Sequence, residues 1–132
     1  MRCSLISETN VAASYPLLAQ LKQATIDKHL EYIRQAAEAG AQTICLQEIF
    51  YGPYFCAEQE TRWYDSAEAV PHGPTIRLMQ DVAREHKVAL VVPVCEVEQQ
   101  GVYYNTAAVI HSDGSYLGKY RKTHIPQVAP GF

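Results

Sequence analysis

Residues 26–47 read IDKHLEYIRQAAEAGAQTICLQ, and the hydrophobic period changes within them. Ile26, Leu30, Ile33 and Ala37 fall at spacings of four, three and four, which lines up one stripe of an α-helix. Asp27 and Glu31 stand near the start of this stripe, where carboxylates suit the helix dipole, and Gly40 ends it. Thr43–Gln47 (TICLQ) is then a short β-branched and apolar run, too short for a helix and suited to a buried strand. A helix that runs through glycine into such a strand is half of a β-α-β unit, so partners are sought on both sides of it.

Upstream, Met1–Ser7 has the alternation of an opening strand and Glu8–Pro16 is a polar connection. Downstream, Phe50–Phe55 (FYGPYF) holds Gly52 and Pro53 among four aromatics and must be a loop. Pro74, Ile76, Met79, Ala83 and His86 predict a second amphipathic helix with proline in its first turn. Val88–Val94 is the strongest strand. A turn at Glu98–Gly101, a strand over Val102–Ile110, a turn at Ser112–Ser115 (SDGS) and a strand over Tyr116–Arg121 follow, the last two strands forming a hairpin. The order β-α-β-α-β-β-β predicts an α/β sheet packed by helices, with no internal repeat.

Composition narrows the function. The chain has 132 residues, about one domain, with 48% hydrophobic and 19% charged residues, which excludes disordered and fibrous classes. Its longest apolar stretch, Val88–Cys95, contains a proline and is far shorter than the ~18 residues of a membrane span. The first residues, MRCSLISETN, show no signal peptide. Cys3, Cys45, Cys56 and Cys95 form no CxxC or tight pair and read as reduced, buried thiols, which favours the cytoplasm. Net charge is −3, yet Gly114–Phe132 carries Lys119, Arg121 and Lys122 without an acid. Three cations without an aromatic ladder are too few for a nucleic-acid footprint. No GxGxxG or GxxxxGK[ST] loop is present, which argues against a nucleotide site.

Ligands in open α/β sheets collect beyond the carboxyl ends of strands, which singles out Glu48 and Lys122. Glu48 follows TICLQ and precedes the aromatic loop, where burial would raise a carboxylate toward general-base range; alternatively it caps a helix or reaches solvent. Lys122, in YRKTHIP, could steady an anion or stand as a solvated lysine. Spacing cannot show whether they meet. His72 and His86 lack partners at metal spacing.

Three strings in order, LQEIFYGPYFC around Glu48, YYNTAAVI over Tyr103–Ile110 and GKYRKTHIP around Lys122, closely resemble the nitrilase, or carbon–nitrogen hydrolase, superfamily. The match is best for its β-ureidopropionase and N-carbamoyl amino acid or N-carbamoylputrescine amidohydrolase branch, and it extends over nearly the whole chain. The resemblance implies an α/β chain forming the N-terminal part of an α-β-β-α sandwich, which assembles as a homo-oligomer when complete. It also implies a Glu-Lys-Cys triad working without metal or organic cofactor on a small N-carbamoyl or amide substrate such as N-carbamoyl-β-alanine, a step of pyrimidine breakdown.

By that resemblance Glu48 is the general base and Lys122 the cation that stabilises the tetrahedral intermediate. Tyr54 of the aromatic loop and His124 resemble residues that bound the substrate site, and Asn105 matches a YN motif as a structural hydrogen-bonding residue. The family's nucleophile cysteine follows the lysine by a few tens of residues, and no cysteine follows Lys122 here. Cys56, on the loop near Glu48, is the one thiol to consider as a substitute. The expectation is therefore a partial domain over residues 1–132, inactive alone; its rival is a non-catalytic pseudoenzyme serving as a binding or assembly module.

Overall fold

The computed structural model describes residues 1–7, 17–52 and 61–125. Its elements are β1 (Cys3–Leu5), α1 (Leu18–Glu38), β2 (Thr43–Cys45), a 3₁₀ helix (Thr61–Ser66), α2 (Pro74–His86), β3 (Ala89–Gln99), β4 (Val102–Ile110) and β5 (Tyr116–Arg121). The strands form one five-stranded sheet in sequence order. β1, β2 and β3 run parallel, and β4 and β5 join antiparallel as a meander.

Alternation sorts the strand residues onto two faces. The row Ser4, Ile44, Leu90, Ile110, Tyr116 crosses the sheet on one face, and the neighbouring row Leu5, Cys45, Val91, Val109, Gly118 lies on the other. Ile44, Leu90, Val92, Val94, Ala108 and Ile110 are buried with Ile26 and Ile33 of α1 and Ile76, Met79 and Ala83 of α2, so the helices and the first face share one core. The second face is apolar but half-open: Leu5 is 74% and Tyr120 is 60% exposed.

The helix ends obey local rules. α2 has Pro74 in its first turn and ends on Lys87, which takes the left-handed conformation at φ 55°. Gly40, at φ 87°, lets the chain reverse from α1 toward β2. α1, however, is 21 residues long and starts at Leu18, so Asp27 and Glu31 lie mid-helix rather than near its start. The buried stripe is Leu21, Thr25, Ile26, His29 and Ile33, and its polar members Thr25 and His29 hide it from an apolar count. Thr25 satisfies itself by donating Oγ1–H to Leu21 O at 3.0 Å. The opening strand is also shorter than Met1–Ser7, and the strongest strand runs on to Gln99 because buried Cys95 and Glu96 continue its pairing with β4.

Candidate active site

Beyond β2 the backbone steps out of register. Leu46 N–H donates to Val91 O at 3.1 Å and Phe50 N–H to Pro93 O at 3.2 Å, so a step of four residues faces a step of two. The excess bulges outward, and Glu48 stands at its crest. Ile49 carries the bulge at φ 48°, a conformation a β-branched residue adopts at a cost of ~1–2 kcal/mol, and its side chain is buried. Tyr51 pins the far side of the turn: its hydroxyl donates to Cys95 O and accepts from Cys95 N–H, both at 3.0 Å. Burial pushes the Tyr51 phenol well above its ordinary range. Lys22 lies over the Tyr51 ring at 4.1 Å and is held by Glu68, which also accepts from the N–H and hydroxyl of Thr75.

The cation arrives from the hairpin. One residue past β5, Lys122 N–H donates to Asn105 O at 2.8 Å, continuing the ladder with β4. Lys122 Nζ then donates to Glu48 Oε1 at 2.6 Å, and Asn105 Nδ2 donates to the same oxygen at 2.5 Å. The Lys122 and Glu48 side chains are 33% and 41% exposed, so the carboxylate is half-open instead of buried as its sequence context suggests. The bulge carries it past the C-terminal end of β2, where its side chain stands half in water. At such exposure an ion pair is worth ~0–1 kcal/mol, too little to fix its own geometry.

On the opposite face of β3, β4 and β5 sits a second, buried cluster. Glu96, 1% exposed, accepts from Arg121 Nε at 3.1 Å, from Arg121 Nη2 at 2.8 Å, from Thr106 Oγ1 at 2.6 Å and from Lys119. Burial pushes the Glu96 carboxyl up, but these donors outweigh it and hold it at about 2. Arg121 also reaches Glu98 at 2.8 Å and stacks over the Tyr104 ring at 3.7 Å. Hydrogen bonds from Arg121 and Tyr104 hold the Glu98 carboxyl below its usual range.

A cleft of about 130 Å³ opens beside the Glu48 pair, lined by Ile49, Tyr64, Cys95, Tyr103, Tyr104, Asn105 and Ile125. Tyr64 and Tyr103 stack at 4.3 Å between ring centroids. Asn105 both lines this cleft and donates to Glu48, so the cleft meets the pair there, although Glu48 and Lys122 are not themselves among its lining residues.

Of the residues singled out by sequence, Glu48, Lys122 and Asn105 meet. His124 is exposed, with Nδ1 3.1 Å from Thr123 Oγ1, and is not among the cleft's lining residues. Tyr54 and Cys56 lie outside the described residues. Cys3 is exposed at the sheet edge, Cys45 is partly buried and Cys95 is buried, none of the three in a disulfide, so the expectation of buried thiols fails at Cys3. Burial raises the Cys45 thiol. Among the described residues no group of three or more His, Cys, Asp or Glu side chains could hold a metal, and no helix is long and apolar enough to cross a membrane. The tyrosine walls and the Glu96 cluster escaped the sequence reading. Alternation could have found part of the second: Arg121 directly precedes Lys122, so their side chains divide between the faces.

The sequence profile of the carbon–nitrogen hydrolases matches residues 12–132. The chain belongs to the carbon–nitrogen hydrolase family. It is 36% identical over 126 residues to an N-carbamoylputrescine amidase of Oryza sativa subsp. japonica, covering 96% of this chain and 41% of that protein. It is 31% identical over 130 residues to a beta-ureidopropionase of Arabidopsis thaliana, covering 97% of this chain and 32% of that one. This carbon–nitrogen hydrolase chain thus spans about two fifths or less of the relatives it matches. Its fold is shared with a carbon–nitrogen hydrolase from Helicobacter pylori G27, at TM-score 0.78 and 24% identity over 93% of this chain and 40% of that one.

Proposed function

We propose that this chain supplies the base and the cation of a thiol-dependent amidohydrolase that cleaves a linear C–N bond of an N-carbamoyl compound. The observation that carries the reading is the convergence of Lys122 Nζ and Asn105 Nδ2 on one oxygen of Glu48 beside a tyrosine-walled cleft. Among the described residues both bonds fall on Oε1, leaving Oε2 to take a proton. Relatives named N-carbamoylputrescine amidase and beta-ureidopropionase support the substrate class.

Glu48 takes the proton of a thiol, and the thiolate attacks the ureido carbon. Lys122 stabilises the negative charge that gathers on the carbonyl oxygen. Glu48 returns the proton to the departing nitrogen, releasing ammonia. Water activated by the same carboxylate then cleaves the thiocarbamate left on the sulfur, freeing the thiol, and the carbamate formed loses carbon dioxide to give the free amine. The thiol comes, in this proposal, from sequence C-terminal to Phe132. Tyr54 and His124 bound the substrate, the complete protein is a cytoplasmic homo-oligomer, and N-carbamoyl-β-alanine and N-carbamoylputrescine are the two substrates to compare.

The test reads the coding sequence past the Phe132 codon and assays the product for ammonia release from both ureides. Release that is lost in Glu48→Gln and blocked by thiol reagents supports the reading. Release lost in Glu48→Gln but indifferent to thiol reagents sinks the mechanism. A second reading, a non-catalytic assembly module, draws on the exposed Leu5, Leu117 and Tyr120; self-association without ammonia release would favour it.

A further inference from the structure

The Glu48–Lys122 pair is half-open to water and too weak to hold itself, so something else must fix the end of β5 from which Lys122 projects. The two sheet faces show what does. Thr106 pairs with Arg121, and one rung further Asn105 meets Lys122, so consecutive residues on each strand divide between the buried cluster and the cleft. Ala108 pairs with Lys119, which puts Lys119 on the buried face with Arg121. Both cations converge on Glu96, whose remaining oxygen contact is Thr106. Arg121 uses two nitrogens of its planar fork on this carboxylate, which fixes direction as well as distance.

We infer that Glu96 is a positioning residue for the site on the other face: by clamping Arg121 and Lys119 it sets the end of β5 and so holds Lys122 against Glu48. Tyr104 extends the clamp to β4, since the Arg121 guanidinium lies on its ring and Asn105 follows it directly. The buried Glu96 carboxylate is held by four donor atoms at once, from Arg121, Lys119 and Thr106, whereas the half-exposed Glu48 carboxylate has two. The consequence for catalysis rests on the proposed roles of Glu48 and Lys122; the geometric claim does not.

The test reads proximity directly. A water-soluble carbodiimide converts Glu48 to an O-acylisourea, the Lys122 amine attacks its carbonyl and expels the substituted urea, and the resulting amide, lighter than the two side chains by the mass of one water, is quantified by mass spectrometry. Glu96→Gln, folded by circular dichroism, should lower the Glu48–Lys122 yield about tenfold, since small misplacements of paired groups cost about that much. Glu31→Gln, the same charge change on the outer face of α1, should leave it unchanged. Wild-type yield in folded Glu96→Gln, no cross-link in the wild type, or an equal loss in Glu31→Gln each overturns the inference. Should Glu96→Gln fail to fold, Arg121→Lys, which keeps the charge and loses the fork, decides in the same way. A purely stabilising Glu96 would leave the yield of the folded fraction intact. Ammonia release is measured in parallel on the catalytic product: its absence removes the hydrolase reading and leaves the cross-link result standing.

Discussion

Asn105 and Lys122 are joined twice: the Lys122 amide donates to the Asn105 carbonyl at 2.8 Å, and both side chains reach Oε1 of Glu48. A backbone rung thus fixes the spacing of the two donors, and the carboxylate receives them as a unit. Removing either should disturb chemistry far more than folding. Lys122→Met and Glu48→Gln are expected to shift urea midpoints by less than ~1 kcal/mol, as befits a half-exposed pair. In a product that carries the proposed thiol, the proposed roles predict that ammonia release falls by ~10²–10⁴ or more, the scale of a lost general base or charge stabiliser.

Ile49 offers a test of backbone strain. Gly is ordinarily worse than Ala by about 0.5–1 kcal/mol within regular structure. At φ 48° the order should reverse: both variants lose the buried side chain, but Ile49→Gly sheds the left-handed penalty that Ile49→Ala retains. Urea denaturation should find Ile49→Gly at least as stable as Ile49→Ala, and a clearly weaker Gly variant would show that the bulge carries no such strain.

Glu96 gives the acid limb of stability a named source. Its carboxyl is held at about 2, below the ordinary 4.5, by Arg121, Lys119 and Thr106 despite burial. A depressed folded-state value binds fewer protons than the unfolded chain, so its stabilisation is full above about pH 4.5 and is lost as pH falls toward 2. That contribution is on the order of 3 kcal/mol. Urea midpoints measured from pH 6 down to pH 2, roughly the span over which the linkage acts, should fall, and Glu96→Gln should be weaker at pH 6 with a flatter decline.

Gly114 in the turn before β5 has φ 85°, and a Cβ there would lie 2.6 Å from Gln80 O of α2. The turn is held to that helix by Gln80 Nε2 donating to Gly114 O at 2.9 Å and Arg84 Nε to Asp113 O at 3.1 Å. Gly114→Ala combines a forbidden backbone with a clash against main chain, and thermal unfolding should show a loss above ~2 kcal/mol.

Much of this architecture is written in local signals. Pro74 and the Ile76, Met79, Ala83 stripe mark α2, Gly40 marks the end of α1, and SDGS marks the last hairpin, because helix ends and tight turns depend on a few adjacent residues. The start of α1 was not legible, since Thr25 and His29 are buried polar residues whose partners only the folded chain supplies. Glu48 and Lys122 could be named separately, but their meeting depends on the ladder linking β2 to β5 through β3 and β4. The tyrosine walls stayed hidden for the same reason: Tyr64 stacks on Tyr103 across a gap in sequence that no periodicity spans.

The separation of 74 positions from Glu48 to Lys122 also sets an order of events during synthesis. A ribosome delivers the glutamate, its bulge and the first parallel strands well before the hairpin that carries the lysine. Until that hairpin is made, the emerging chain bears an acidic crest without Lys122, its partner in the folded sheet. The Glu48–Lys122 contact therefore cannot form before the hairpin is made, and a nascent chain acquires this charge arrangement only after the strands beneath it have been synthesised.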